Sequence, residues 1–303
     1  MKNLILILII VFNLFSQYDW STPKMISDPT SNYCSRPRIA IDNNGVLHAV
    51  WMYYYDFGTL NDPIVVEYAL SNDDGITWST PVKISPIYEG DQAYEPLIVI
   101  DSKNNVHVMF YLLLNGKIYY MNNIGGTWSN PQFTGRYMTA SPVLGIDKND
   151  RIYYFYYDEF SIDESSYYIF KDPENNWSSP VSMGSKYSIY DIKWYGDYLF
   201  AGGRISKDES GEYISRASIS KMDINTGNWT DPVDVSNGNY PSGVKSLDIS
   251  DDEKVHIAYS FGPASGYGAT MYRFGNNDLT NWSVPDTVSV NMIFDKELII
   301  DIN

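Results

Sequence analysis

One tetrapeptide, Trp-Ser/Thr-x-Pro or its close variant, returns six times along the chain, at Trp20, Trp78, Trp128, Trp177, Trp229 and Trp282. The spacings are 58, 50, 49, 52 and 53 residues. A period this steady means that one supersecondary unit is used repeatedly, each copy burying its apolar faces against its neighbours. A second motif sits about midway between the tryptophans. It reads Arg38–Ile39–Ala40–Ile41–Asp42, then Asn43–Asn44–Gly45, then Val46 to Trp51. It returns as Leu97–Asp101 with Val106–Phe110, as Val143–Asp147 with Ile152–Phe155, and as Leu247–Ser250 with Val255–Tyr259, with a weaker copy over Asp191–Phe200. Each copy is a strand, a tight polar turn and a strand. A third strand precedes the turn ahead of each Trp, and a fourth is expected to start at the Trp itself. Four antiparallel strands in roughly 40–50 residues make a propeller blade. Helical periodicity is absent beyond the N-terminus, and 16% aromatic residues suit packed blades.

The turn before Trp78 is the most complete copy. Ser71–Asn72–Asp73–Asp74–Gly75–Ile76–Thr77–Trp78 lies between the strand-like Ile64–Leu70 and a strand resuming at Trp78. Asp73 is placed to accept hydrogen bonds from turn amides, Gly75 supplies a positive φ, and Trp78 offers a large apolar face. The octet resembles the Asp box, Ser-x-Asp-x-Gly-x-Thr-Trp, of sialidases and other BNR-repeat β-propellers; Ser71, Asp73, Gly75, Thr77 and Trp78 fill every fixed position. That resemblance implies an all-β, six-bladed sialidase-like propeller, with the box as a structural hairpin on the outer rim, away from any active site. The other copies keep fragments, such as Gly126–Thr127–Trp128, or only turn formers, as in Asp223–Trp229.

Residues 1–16, one lysine and then the apolar run Leu4–Leu14, read as a signal peptide cleaved near Ser16, an uncleaved anchor being the rival reading. Residues 17–303 are expected to form a single propeller domain: five full blades and a partial sixth shared by the termini. The strand around Trp20 and an innermost strand at Glu297–Asp301 supply that sixth blade, without its middle pair. The favoured explanation is a C-terminally incomplete six-bladed protein; the others are five blades with tucked ends and a longer natural product.

A net charge of −16 argues against nucleic acid and anionic membranes as partners. One cysteine, Cys34, leaves blade packing to hold the domain. The histidines His48, His107 and His256 fall at the same repeat position, so they read as packing residues rather than catalysts or metal ligands. No metal spacing, phosphate loop or nucleophile elbow is present, and no cofactor is expected. The sequons at Asn176, Asn228 and Asn281 are by-products of the repeat.

Propeller sites are built on one face, from the loops entering the innermost strands and those joining the second and third strands. The entering loops are expected at Asp28–Arg38, Pro86–Glu95, Gly135–Ser141, Ser185–Asp191 and Asn237–Lys245. The residues just ahead of the inner strands differ between repeats: Arg36, Glu95, Ser141, Tyr190, Asp191 and Lys245, with Tyr33, Arg38, Tyr94, Arg136, Tyr137 and Tyr240 around them. Cations, carboxylates and tyrosines together suit sugars, whose rings stack on aromatic faces and whose hydroxyls or carboxylates meet charged groups. The second-to-third-strand loops add Asp56, Asp62, Asp158, Glu159, Asp163, Glu164 and Arg204 with Asp208–Glu209. Glu95 and Asp158 are the candidate catalytic pair; Arg36, Arg38, Tyr94, Tyr190, Asp191, Arg204 and Tyr240 are the candidate substrate contacts.

Sialidases hold the substrate carboxylate with three arginines and use a Tyr–Glu nucleophile pair and an acid/base Asp. The first arginine stands in Arg-Ile-Pro, where this chain has Ser35–Arg36–Pro37–Arg38–Ile39. Arg36 or Arg38 fills that place by resemblance, with Arg204 and Arg273 as candidates for the others. The family's late nucleophilic tyrosine has no counterpart here. The expected function is therefore an exported propeller that binds a glycan or surface partner without complete catalytic machinery. The alternative is an exo-sialidase or related glycoside hydrolase. Secretion or surface display, an extracellular carbohydrate or glycoprotein partner, no membrane insertion after signal removal and a monomeric state complete the expectation.

Overall fold

The computed structural model describes residues 22–27, 33–55, 63–88, 90–137, 140–158, 165–174, 176–184, 187–209, 212–236, 242–262 and 268–292. They form five sheets of four antiparallel strands, each ordered as the chain runs. Blade 1 holds β1 (Tyr33–Ile41), β2 (Leu47–Tyr54), β3 (Ile64–Ser71) and β4 (Val82–Lys83). Blade 2 holds β5 (Ala93–Ile100), β6 (Val106–Leu112), β7 (Lys117–Asn122) and β8 (Gln132–Tyr137). Blade 3 holds β9 (Ala140–Ile146), β10 (Ile152–Asp158), β11 (Ser165–Lys171) and β12 (Val181–Ser182). Blade 4 holds β13 (Tyr187–Tyr195), β14 (Tyr198–Glu209), β15 (Glu212–Asp223) and β16 (Val233–Asp234). Blade 5 holds β17 (Ser242–Ile249), β18 (Lys254–Phe261), β19 (Gly268–Asn276) and β20 (Asp286–Met292). Among the described residues the only helix is one 3-10 turn, Ile124–Gly126, and no helix is long and apolar enough to cross a membrane.

The inner strands neighbour one another in sequence order, β1 against β5, β5 against β9, β9 against β13 and β13 against β17. Between each adjacent pair of sheets lies one apolar layer. Val50, Val66 and Tyr68 of blade 1 meet Val106, Val108 and Phe110 of blade 2, and the later interfaces repeat the pattern. In blades 2, 3 and 4 the repeated tryptophan wedges against an aromatic residue on the third strand of the blade before. Trp128 meets Tyr68 edge-on at 5.0 Å, Trp177 meets Tyr120 at 5.6 Å, and Trp229 meets Tyr168 at 6.1 Å.

The outward face of blade 1 is different. Ile39 and Ile41 correspond in the repeat to Ile98 and Ile100, which pack into the layer between blades 1 and 2. Ile39 and Ile41 are instead 57% and 63% exposed. Beside them is a small cluster of Ala49, Trp51 and Ala69, capped by Ile26 and Trp78. Trp20 and Glu297–Asp301, the expected sixth-blade strands, and the expected signal peptide lie outside the described residues.

The fourth strands start later than the repeat suggests. They begin not at the Trp but four residues on in every blade, directly after Pro81, Pro131, Pro180, Pro232 and Pro285. A proline has no N–H for the ladder, so pairing resumes only beyond it. The expected first-to-second-strand turns are present and cap themselves. Asp42 accepts from the amides of Asn44 and Val46, Asp101 from Lys103 and Asn105, and Asp147 from Asn149 and Arg151, at 2.7–2.9 Å. The turns are also laced to the next blade. The Asn43 amide donates to Asn104 Oδ1 at 3.0 Å and the Ser102 amide to Asp150 Oδ1 at 2.7 Å; between blades 4 and 5 the link runs from strand to strand, Lys193 of β13 pairing with Asp248 of β17 at 2.6 Å.

Each histidine makes the same link. Nδ1 of His48, His107 and His256 lies 2.6–2.7 Å from the hydroxyl of Tyr68, Tyr120 and Tyr272 respectively, joining the second strand to the third. Their other ring nitrogens face Asp42 at 3.7 Å, Asp101 at 3.3 Å and Ser250 at 3.1 Å. Burial holds all three imidazoles below their ordinary pKa.

The octet ending at Trp78 closes on itself. Asp73 accepts from the Thr77 amide at 2.7 Å, the Thr77 hydroxyl at 2.6 Å and the Ser71 hydroxyl at 2.8 Å. Ser71 Oγ in turn accepts from the Gly75 amide at 2.9 Å, and Gly75 has φ +81°.

Candidate functional site

Every inner strand breaks register once against the second strand. The breaks fall between Ser35 and Arg38, Tyr94 and Leu97, Ala140 and Val143, Ile189 and Asp191, and Val244 and Ser246. The residues inside them are Arg36–Pro37, Glu95–Pro96, Ser141–Pro142, Tyr190 and Lys245. One structural position thus recurs in five blades with five different side chains. Sequence reasoning placed these residues in loops ahead of the strands; they lie within the strands, at bulges. In three blades a proline that cannot donate to the ladder forces the bulge, and a bulge re-aims the side chain it displaces.

Arg36 and Glu95 adopt left-handed backbone, φ 54° and 46°. For residues with side chains this conformation costs about 1–3 kcal/mol each, and a following proline opposes it further. Arg36 Nη2 and Glu95 Oε1 are 3.3 Å apart, both partly exposed. The same guanidinium lies 6.0 Å from the ring centroid of Tyr94, which meets Tyr111 edge-on at 5.7 Å. Burial, with the Glu95 charge adding to it, pushes the Tyr111 and Tyr154 phenols up, so both are protonated donors at neutral pH. Tyr33 stands edge-on to Tyr54 at 4.8 Å. Arg38 is exposed, with Nη1 3.4 Å from the Pro37 carbonyl.

Between blades 4 and 5 the bulge residues line a cavity of about 150 Å³, walled by Tyr190, Arg204, Ser215, Ser242, Gly243, Lys245 and Ser260. The Tyr190 ring carries two cations, Lys245 Nζ at 5.0 Å and Arg204 Cζ at 5.7 Å from its centroid. Among the described residues neither has an ion pair or a hydrogen bond. Burial lowers the Lys245 pKa, and the Arg204 charge lowers it further. Burial raises the Tyr190 phenol, with Arg204 pulling against it. Gly243 leaves the floor open: a Cβ there would lie 3.6 Å from both Arg204 Cβ and Tyr190 Cε2.

The other candidates divide. Asp191 does not face the cavity freely; its carboxylate accepts from the amides of Leu247 at 2.8 Å and Ile192 at 2.9 Å, bridging β13 to β17. Burial pushes it up to about 6 despite those bonds. Asp158 ends β10 at the mouth-side end of its strand. Arg204, Asp208 and Glu209 were expected in a loop but belong to β14, because the β14–β15 ladder runs unbroken from Tyr198↔Asp223 to Glu209↔Glu212. Arg273 is spent on the carbonyls of Ser283 and Val235, at 2.8 and 2.7 Å. Tyr240, Asp56, Asp62, Glu159, Asp163 and Glu164 lie outside the described residues. Lys245 is not among the substrate contacts the sequence suggests; its recurrence at the position that holds Arg36, Glu95 and Tyr190 in other blades is the signal that marks it. Among the described residues no group of His, Cys, Asp or Glu could hold a metal ion.

No protein-family model matches the sequence, and no curated protein matches it. Solved structures do match. The NanB sialidase of Streptococcus pneumoniae superposes with a TM-score of 0.56 at 10% identity, over 86% of this chain and 62% of that one. A Hadza microbial sialidase gives 0.52 at 14% identity, over 86% and 59%. An ulvan lyase, solved with a saccharide bound and described as a new polysaccharide lyase family, gives 0.53 at 12% identity, over 84% and 70%. The chain spans about three fifths of the length of the two sialidases. Its fold is the sialidase-like β-propeller.

Proposed function

We propose that the chain is an exported glycan-binding propeller whose axial mouth takes a sugar carrying an anionic group. One observation carries the reading: Arg204 and Lys245 converge on one tyrosine ring in a cavity and have no acid partner among the described residues, in a protein of net charge −16. With acids this abundant, two adjacent unpaired cations are best answered by a ligand carboxylate or sulfate. Tyr190, Tyr94 and Tyr33 supply faces and hydroxyls for the rings. The chain is a single domain over 17–303 on this reading, released after removal of residues 1–16, with extracellular carbohydrate or glycoprotein as its partner.

Binding ranks ahead of turnover because Glu95, the candidate catalytic carboxylate, is engaged by the Arg36 guanidinium at 3.3 Å. A hydrolase is the second reading. It is favoured by the strained backbone at Glu95 and by the protonated Tyr111 and Tyr154 phenols that feel its charge. A glycan array run beside fluorogenic sialosides and uronides tests both. Binding of acidic glycans, lost in Arg204→Ala and without turnover, is the expected result. Turnover abolished by Glu95→Gln would replace the first reading with the second, and silence in both assays would remove both.

A further inference from the structure

The cavity between blades 4 and 5 holds a lysine in an unusual setting. Lys245 sits on a bulge and is half-buried. Its Nζ lies 5.0 Å from the centroid of the Tyr190 ring, which the Arg204 guanidinium carbon also approaches, at 5.7 Å, and it has no ion pair among the described residues. Ordinary surface lysines here are placed otherwise: Lys148 pairs with Asp197, Lys193 with Asp248 and Lys254 with Asp252. An ammonium with a cationic neighbour and little water around it is destabilised, and its neutral amine is a nucleophile. Burial and Arg204 both act in that direction on Lys245.

We propose that Lys245 captures a small 2-oxo acid covalently, as an imine, with Arg204 holding the acid's carboxylate. The proposal rests on the anion-binding reading of the same cavity and adds a bond to it. The lone pair of the neutral ε-amine adds to the carbonyl carbon. The carbonyl oxygen takes one proton from the amine and one from solvent and leaves as water, and a protonated imine remains. No oxidant or reductant is involved. Arg204 decides which carbonyl compound is taken. A protonated imine is a cation like the ammonium it replaces, so an uncharged aldehyde or ketone would leave two cations facing each other. A 2-oxo acid brings its anion on the carbon next to the carbonyl, where it answers both. The cavity suits a ligand of this size, since its volume of about 150 Å³ is walled by a ring and the residues Ser215, Ser242 and Ser260. Tyr190, its phenol held protonated by burial, closes one side.

The test uses the full chain, pyruvate and sodium cyanoborohydride, which reduces the imine to a stable amine, followed by intact mass and peptide mapping. One pyruvate-derived increment is expected, at Lys245, formed at least tenfold faster than at exposed lysines such as Lys103. Lys245→Met should abolish it. Arg204→Gln should slow it severalfold, and acetone, which lacks the carboxylate, should label tenfold less. Label spread evenly over the lysines, or equal labelling by acetone, overturns the proposal. Pyruvate binding is followed in parallel without reductant by ligand-observed NMR. Binding that needs Arg204 but leaves no trapped adduct sinks the imine and spares the anion site; absence of binding removes both.

Discussion

Gly203 offers the sharpest test of the inner-strand geometry. It pairs with Ile189 on β13, one residue from the Tyr190 bulge. A Cβ at this position would lie 1.9 Å from the Ser188 carbonyl oxygen, 2.9 Å from its carbon and 3.0 Å from Ile189 Cα. These are backbone atoms of the paired strand, so no rotamer change relieves them. Carbon and oxygen sit comfortably at about 3.3 Å or more, so Gly203→Ala must push β13 from β14 by about 1.4 Å. Neighbouring strands are about 4.8 Å apart at their hydrogen-bonding optimum, and an opening that large breaks the local ladder. Losing two such bonds at about 1 kcal/mol each, with an overpacking cost of about 1–3 kcal/mol, gives a loss of about 3–5 kcal/mol. At about 2 °C per kcal/mol for a chain of this size, the melting temperature should fall by about 6–10 °C. Gly243→Ala is the control. Its added methyl would make ordinary 3.6 Å contacts with Arg204 and Tyr190, so stability should change by less than about 1 kcal/mol while the cavity floor fills. Differential scanning calorimetry and a glycan-binding assay separate the two: Gly203→Ala melts early, and Gly243→Ala keeps its melting temperature but binds weakly. Gly203→Ala melting within about 1 °C of the parent would refute the account of why that position is glycine.

Trp128→Ala removes the edge-on contact with Tyr68 and opens the layer between blades 1 and 2; a loss of about 3 kcal/mol is expected in thermal melts. Asp73→Ala strips three hydrogen bonds from its turn and should speed amide exchange over residues 71–78 without altering ligand binding at the mouth. The three histidines have folded pKa values below the unfolded 6.5. Their neutral forms therefore stabilise the fold fully above pH 6.5, and that stability is lost as pH falls below it, where the unfolded chain takes up protons first. Melting temperature should decline below about pH 6.5, with a shallower slope in His107→Gln. Asp191, raised to about 6, acts oppositely: it favours the fold more as pH falls from about 6 towards its unfolded value. Asp191→Asn should therefore remove a stabilising contribution in acid and bring a relative gain at pH 7.

The blade order and both recurrent motifs were legible because they repeat. A Trp every fifty residues and a self-capping Asp turn in blades 1, 2 and 3 are local signals, and within the described residues the strands they predicted are present, save that prolines delay the fourth strands. The mouth was half legible. Arg36, Glu95, Tyr190 and Lys245 stood out as positions that vary where the rest of the motif is constant. Their bulges were not read, although the x-Pro pairs at Pro37, Pro96 and Pro142 marked three of them. What a side chain does once aimed depends on partners distant in sequence. Arg36 meets Glu95, 59 residues on, and Asp191 turns to the amide of Leu247, 56 residues on. Nothing local says that Asp191 will clamp two blades while Lys245, at the neighbouring bulge, keeps its charge unanswered. The length of the blade-4 hairpin was missed for a similar reason: Arg204 to Glu209 are polar and read as a loop, yet the ladder carries them.

The lacing between the first turns has a direction. The turn of blade 1 gives its Asn43 amide to Asn104 of blade 2, and blade 2 gives its Ser102 amide to Asp150 of blade 3. At these turns blade 2 accepts on one flank and donates on the other, so the lacing there runs head to tail. A duplicated or deleted blade therefore presents its neighbours with the surfaces they already fit. An array held by such nearest-neighbour contacts can be lengthened or shortened by gene duplication one period at a time.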